Sequence, residues 1–354
     1  MISEIKLTQY SKGSGCGCKI APAVLEKILS NVTDKTFYPN LIAGNEGNED
    51  AAVWKLDAEK YLVSTTDFFT PIVDDPFLFG KIAAANSLSD IYAMGAKPIF
   101  SLAILGFPIE KLPIEIVSKI MKGANEVCAQ AGIPIAGGHT IDISEPVFGL
   151  VANGFVAAEN LKRNRGAKVG DKLYLTKAIG TGIISAALKR GKVNELHLEK
   201  AIESMCILNL IGEKFGLVKG INAMTDVTGF GLIGHLIEMC EASSVSAQLN
   251  FDSIQLMDGV KEYMDQFIFP DNTYRNWNAY EQKVSGVNGP EFIPLCDPQT
   301  SGGLLISVDP NSCSEVENLL VENGLNEFLK PIGTIISKQE KVCVVETGEL
   351  RIEN

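Results

Sequence analysis

The apolar and polar positions of this chain fall into runs of strand length and runs of helix length. Ala51 to Leu56 and Tyr61 to Thr66 are short apolar runs and predict two strands. Phe77 to Met94 stays largely apolar over a helical length and stops at Gly95, a residue suited to a helix C-cap. Pro98 to Phe107 predicts a strand, and Ile114 to Ala131 a helix with Gly132 beyond its end. Pro134 to Ala136 reads as a short strand running into a Gly137-Gly138-His139 turn, and Val147 to Ala157 as a long strand. This alternation leaves room for antiparallel pairing, so the expected class is α+β rather than a pure parallel sheet.

A second block begins with the strand Lys172 to Thr176. Helices are expected at Gly182 to Leu188, His197 to Leu210, Gly231 to Glu241 and Ser314 to Glu322. Strands are expected at Val245 to Asn250, Leu304 to Val308, Lys330 to Ile336 and Val342 to Val345. Ala223 to Phe230 reads as turn-rich, and Phe269 to Gly289 as irregular and polar. Between the blocks, Glu159 to Gly170 carries Lys162, Arg163, Arg165 and Lys168 and reads as a linker. Ahead of both lies an arm with one short helix, Pro22 to about Leu29. The expected organisation is an arm over 1–47, a domain over 48–158, a linker over 159–170 and a domain over 171–354.

Composition bounds the class. In 354 residues, 46% are hydrophobic and 21% charged, which is ordinary for a soluble globular protein with an ample core. The net charge of −12 argues against sequence-independent binding of nucleic acid, which needs Lys and Arg on phosphates. No apolar run is long enough to span a bilayer, and Met1-Ile2-Ser3-Glu4-Ile5-Lys6 lacks the apolar stretch of a signal peptide, so a cytoplasmic location is expected. The eight cysteines include no CxxC pair, which argues against zinc ribbons and thioredoxin-type chemistry.

Candidate chemistry begins in the arm. Gly13-Ser14-Gly15-Cys16-Gly17-Cys18-Lys19 has no hydrophobic face and suits a mobile loop. A nearby ammonium favours thiolate, the nucleophilic form of cysteine. On these residues alone, a loop with incidental thiols fits equally well. Asp50, Asp67, Asp90 and Asp226 stand among mostly uncharged neighbours. Such carboxylates suit Mg²⁺, which binds one or two of them plus substrate phosphates. Each one singly also fits a cap or a turn. Gly137-Gly138-His139-Thr140 could cradle phosphate on backbone N–H groups or be an ordinary turn. Gly229 to Gly234 matches GxGxxG, yet the preceding Asn222 to Asp226 is a poor buried strand. There is no GxxxxGK[ST] loop, so ATP would be held another way.

These segments together resemble the selenophosphate synthetase (selenide, water dikinase) family. The matching residues are Leu7-Thr8-Gln9-Tyr10-Ser11 with Gly15 to Lys19, Asn48 to Val53, Thr65 to Pro71, Asn86 to Gly95, Gly137 to Thr140, Thr225 to Gly231 and Asp297 to Gly303, in order along nearly the whole chain. The resemblance implies a reaction: ATP, selenide and water give selenophosphate, AMP and orthophosphate. Selenophosphate is the selenium donor for selenocysteine and selenouridine synthesis. It implies a two-domain aminoimidazole-ribotide-synthetase-like fold that forms a homodimer through the N-terminal sheets. It also implies roles. Cys16 matches the catalytic thiol and Lys19 the lysine used in catalysis and ATP contact. Asp50, Asp90 and Asp226 match Mg²⁺ ligands. Gly47, Asn48, Glu49, Asp67, Asp90, Gly138, His139 and Thr140 match ATP-contacting positions. Asp271-Asn272 departs from the pattern where glycines are expected. Three rivals remain: another phosphotransferase of this fold, a selenium or metal carrier built on Cys16 and Cys18, and a nicotinamide enzyme built on Gly229 to Gly234.

Overall fold

The computed structural model describes residues 5–11, 13–15, 17, 19, 24, 28, 37–44 and 48–347. The expected helix from Pro22 to Leu29 falls largely outside them.

Two mixed sheets organise the fold. The first has the order β1-β2-β3-β6-β4-β5. Its strands are β1 (Leu41–Ala43), β2 (Ala52–Lys55), β3 (Lys60–Phe69), β4 (Lys97–Phe107), β5 (Ile135–Asp142) and β6 (Val147–Ala157). Only β4 and β5 run parallel; the other pairs are antiparallel. Two helices, α1 (Pro76–Ala93) and α2 (Glu115–Gln130), cover one face. The second sheet has the order β10-β13-β9-β12-β7-β11-β8. Its strands are β7 (Lys172–Leu175), β8 (Ile221–Asp226), β9 (Ser246–Asn250), β10 (Val284–Ser285), β11 (Leu304–Val308), β12 (Gly333–Ile336) and β13 (Cys343–Glu346). The helices of this half are α3 (Thr181–Lys189), α4 (Glu195–Cys206), α5 (Ile211–Leu217), α6 (Gly231–Ser243), α7 (Val260–Asp265), α8 (Asp271–Tyr280), α9 (Phe292–Leu295) and α10 (Cys313–Glu322). Among the described residues no helix is long and apolar enough to cross a membrane.

Helix α1 positions the site. The Asp75 carboxylate caps it by accepting from Leu78 N, with Pro76 at its first turn, and it ends before Gly95 at φ +67°. It packs on β3, β6 and α2 on one side and on α4, α5 and β8 on the other. Fifteen of its eighteen residues are therefore buried, and it has no polar stripe. A carboxylate on its inner face, Asp90, is carried to where the two halves of the molecule meet.

Several expectations are corrected. Gly137 to Thr140 is not a turn at a strand end but the middle of β5, whose parallel partner β4 supplies the ladder; Gly138 lies against the Ala103 backbone, where a side chain would collide. Ala223 to Asp226, read as turn-rich, lies in the buried strand β8. The polar segment after Phe269 contains the helix α8, whose buried residues are Asn272, Thr273, Asn276 and Tyr280. Asn276 Nδ2 donates to Gly229 O and Cys296 O, both at 3.0 Å, so its burial is hydrogen-bonded rather than apolar and leaves no hydrophobic period to read. Helix α5 falls just beyond the expected helix that ended at Leu210. The stretch 159–170 is more than a tether. Lys162 is buried, and its Nζ donates to Val218 O at 2.7 Å and Ile221 O at 3.1 Å.

Candidate functional site

Three carboxylates from three elements converge. Asp50 precedes β2, Asp90 lies on α1 and Asp226 ends β8, and their ligand atoms all lie within 4.8 Å of one another. Two come from the first half of the chain and one from the second. Hydroxyls hold them: Thr65 Oγ1 donates to Asp90 Oδ2 at 2.6 Å, and Thr225 Oγ1 to Asp50 Oδ1 at 2.7 Å. Asp50 Oδ2 and Asp226 Oδ2 are buried with no hydrogen-bond partner among the described residues. Burial, and then the charge of Asp226, push the Asp50 and Asp90 carboxyls well above the usual carboxylate range. Burial pushes Asp226 up to about 6, with Asp67 adding to the rise and the Ser89 hydroxyl, Lys19 and Lys177 opposing it. A largely buried group of like charges with unmet oxygen lone pairs is a poor resting arrangement for the protein alone and a fitting one for a hard divalent cation.

Asp67, near the end of β3, stands beside this group. Its Oδ2 accepts from Asn86 Nδ2 at 2.7 Å, and its Oδ1 lies 3.6 Å from Lys19 Nζ. The arm reaches it through a series of anchors. Thr8 N and Oγ1 donate to Asp74 Oδ1, Lys189 Nζ donates to Ser11 O and Gly13 O, and Gly15 N donates to Thr70 O at 3.1 Å. Gly15 takes φ +52° and packs against Ile72 and Thr300, so both its conformation and its space exclude a side chain.

Two family models match the chain: AIR synthase related protein, N-terminal domain, over residues 48–156, and the C-terminal domain of the same name over 168–346. A protein of Haemophilus influenzae (strain 86-028NP) named selenide, water dikinase is 51% identical over 342 residues, covering 97% of this chain and 98% of that protein. The chain belongs to the selenide, water dikinase family. Its fold is also that of more distant solved structures. Thiamine monophosphate kinase from Aquifex aeolicus aligns with a TM-score of 0.66 at 17% identity, covering 92% of this chain and 96% of that one. Hydrogenase maturation protein HypE in complex with ATP aligns at 0.64 and 18% identity, covering 98% and 90%.

The positions drawn from the selenide, water dikinase resemblance are not all gathered in one place. Cys16 and Gly47 lie outside the described residues. Asn48 gives its Nδ2 to Glu238 Oε1 at 2.9 Å, beside the cluster side of α6. The Glu49 carboxylate is fully buried and paired with Arg163 and Arg165, so its charge is met by the linker. Gly138, His139 and Thr140 sit on the edge strand. The register row Asp67, Leu150, Ala103, Gly138 crosses three strand spacings, roughly 14 Å in all. His139 shares the next row with Phe68, Gly149 and Ile104, on the face opposite Asp67.

Other residues of the site gave weaker signals. Thr65, Asn86, Ser89 and Thr225 support the carboxylates; the signal was polar residues inside otherwise buried stretches, within the very segments that carry the family resemblance. Glu238, on α6, is pushed up to about 7 by burial and was not anticipated. In the GxGxxG turn, Gly231 packs on the Cys296 backbone and Gly234 on Tyr280, so the side-chain positions of these two glycines are taken up by protein.

Proposed function

We propose that the protein makes selenophosphate from ATP, selenide and water, releasing AMP and orthophosphate, in the cleft formed by Asp50, Asp67, Asp90, Asp226 and Lys19. The observation that carries this reading is the convergence of three carboxylates from both halves of the chain, Asp90 and Asp226 buried and Asp50 half-buried, two of them with unmet oxygens, next to a lysine on the arm. Asp50, Asp90 and Asp226 would hold Mg²⁺. Bound there, Mg²⁺ neutralises phosphate charge and polarises the transferring phosphoryl group. Thr65 and Thr225 fix the carboxylate orientations. Lys19 reaches Asp67 at the cleft wall and supplies positive charge where phosphate oxygens gather. Cys16, three residues before Lys19, delivers or binds selenium, and the glycines around it let the arm exclude water from the step in which a phosphoryl group passes to selenium rather than to water.

The working unit in this reading is a cytoplasmic homodimer joined through the six-stranded sheet. Phe68, Leu102 and Trp54 are exposed on that sheet's outer face, which supports a second copy there. Gly138, His139 and Thr140 would then stand at the join between copies.

The test is product analysis in anaerobic solution with ATP, Mg²⁺ and selenide, followed by phosphorus NMR. AMP, orthophosphate and selenophosphate should appear together. ADP without AMP, or ATP consumption that ignores selenide, would overturn the reading.

A further inference from the structure

A cavity of about 470 Å³ lies beside the arm, between α3 and α8. Ser14 and Gly17 form part of its wall, together with Lys189, Arg190, Asn272 and Arg275. None of the four aspartates of the cleft lines it. Among the described residues that line it, Asp271 is the one carboxylate beside Lys189, Arg190 and Arg275; Lys189 is engaged by the arm carbonyls and feels the charge of Glu145, so the two arginines are the cations the cavity has to offer, in a chain whose net charge is −12. Arg190 uses its guanidinium on two neutral carbonyls, Phe267 O at 3.0 Å and Phe269 O at 3.3 Å. Arg275 donates once, to Asn272 Oδ1 at 3.2 Å. Among the described residues no carboxylate pairs with either arginine. The Ser14 hydroxyl in the same wall is buried and makes no hydrogen bond among those residues. Asp271-Asn272, the place where the chain departs from the family pattern, is the first turn of the helix that presents Arg275.

We propose that this cavity receives the selenium substrate as a small monoanion, hydroselenide, and holds it against the arm. The proposal rests on the selenophosphate reading above. Both reactants are anionic, and they cannot share one approach. The cleft is walled by carboxylates and would be filled by ATP, so a second anion is repelled from that side. The cavity offers the opposite charge and a hydroxyl that makes no hydrogen bond among the described residues. Thr300 lines the cavity; Ser301 N donates to Asn86 Oδ1, and Asn86 Nδ2 donates to Asp67 Oδ2. One peptide link and two hydrogen bonds thus connect the cavity wall to Asp67. Arg275 supplies attraction without taking part in the bond changes.

Arg275 is exposed, so Arg275→Gln tests its charge without threatening the fold. Anaerobic initial rates at saturating ATP should show KM for selenide rising roughly five- to tenfold, with kcat and the KM for ATP within twofold of the parent. Arg275→Lys should recover most of the loss, and added salt should narrow the gap between parent and Arg275→Gln. An unchanged KM for selenide, or an equal rise for ATP, would overturn the proposal. So would weaker inhibition by added orthophosphate with KM for selenide unmoved, which would make the cavity a product exit. Failure of the parent protein to form selenophosphate at all would instead sink the functional reading, so the two failures are told apart by the parent's own turnover.

Discussion

The two sheets are built from strands of similar type but meet their surroundings differently. In the seven-stranded sheet both faces are covered. Leu173, Leu175 and Leu305 face α6, while Tyr174, Leu304 and Ile306 face α5 and α10. Strand β11 is buried at every position. In the six-stranded sheet, among the described residues, helices cover one face: Val63, Phe69, Leu105, Phe148 and Leu150 pack on them, while Phe68, Leu102 and Trp54 stay exposed. A closed sheet supplies stability, and its buried edge strand β8 can afford to hold Asp226 rigidly. An open sheet supplies a surface. The carboxylate cluster sits at the seam between them, so it depends on the joint more than on either sheet.

The largest effect should come from breaking that seam. Asp90→Asn removes one carboxylate while keeping its size, and selenophosphate formation should fall by roughly a hundred- to a thousandfold, measured as AMP release with selenide present. Near-parental turnover would take Asp90 out of the mechanism. Next comes the closed sheet. Leu305→Ala opens a cavity between β11 and α6 and should cost about 2–5 kcal/mol in urea unfolding, whereas Leu102→Ala on the open face should cost less than about 0.5 kcal/mol in the monomer. Equal losses at the two positions would erase the contrast between the sheets.

The regular elements of the covered core were legible in the sequence because their burial is apolar. Strands β3, β4, β6 and β11 and helices α1 and α2 announce themselves by runs of Val, Ile, Leu and Phe. What the pattern concealed was polar burial. Asp226 made 222–226 look unfit for a strand, yet that carboxylate is buried because it belongs to the cluster. Asn276 hid α8 in the same way, with hydrogen bonds standing in for hydrophobic contacts. Asp297 to Gly303 shows the extreme case. Every residue there is buried, Gln299 Oε1 accepts from Gly180 N and Thr181 N, and Gly302 and Gly303 lie against backbone that leaves no room for a side chain. The aspartates were visible as candidates, but only the fold brings Asp50, Asp90 and Asp226 together across 176 positions of chain. The cationic cavity had no linear signal at all, since Ser14, Arg190 and Arg275 meet only through the packing of α3 and α8 on the arm.

A smaller effect follows from the charge stored at the seam. Asp226 titrates near 6 in the folded chain against 3.8 when unfolded. The folded state therefore holds its proton more tightly, and this favours folding below pH 3.8 and is lost as pH rises through 6. Without divalent metal, Asp226→Asn should be stabilised relative to the parent, by about 1.4 kcal/mol more at pH 7.5 than at pH 5 in chelator-treated urea melts. Added Mg²⁺ should stabilise the parent and leave Asp226→Asn little changed. A pH-independent difference would mean that the carboxylate is held by something other than burial and its neighbours.

The smallest effect on stability should carry the clearest change in assembly. Phe68 lies on the open face, one residue from Asp67 but pointing the other way, and half of its surface is exposed at 51%. Phe68→Asp puts a charge at the centre of the surface proposed to join two copies, where pairing would bring two such charges into a drying interface. The isolated chain should barely notice: its unfolding free energy should move by less than about 0.5 kcal/mol, because the residue packs on nothing in its own chain's core. Sedimentation velocity should nonetheless shift from dimer to monomer. If selenophosphate formation falls in step with dimer content while added Mg²⁺ stabilises the Phe68→Asp chain as much as the parent, the open sheet is part of the active unit through the edge strand that carries His139. A Phe68→Asp protein that remains dimeric would place the partner on another surface and leave the bare face of the first sheet without the role that its contrast with the second one assigns to it.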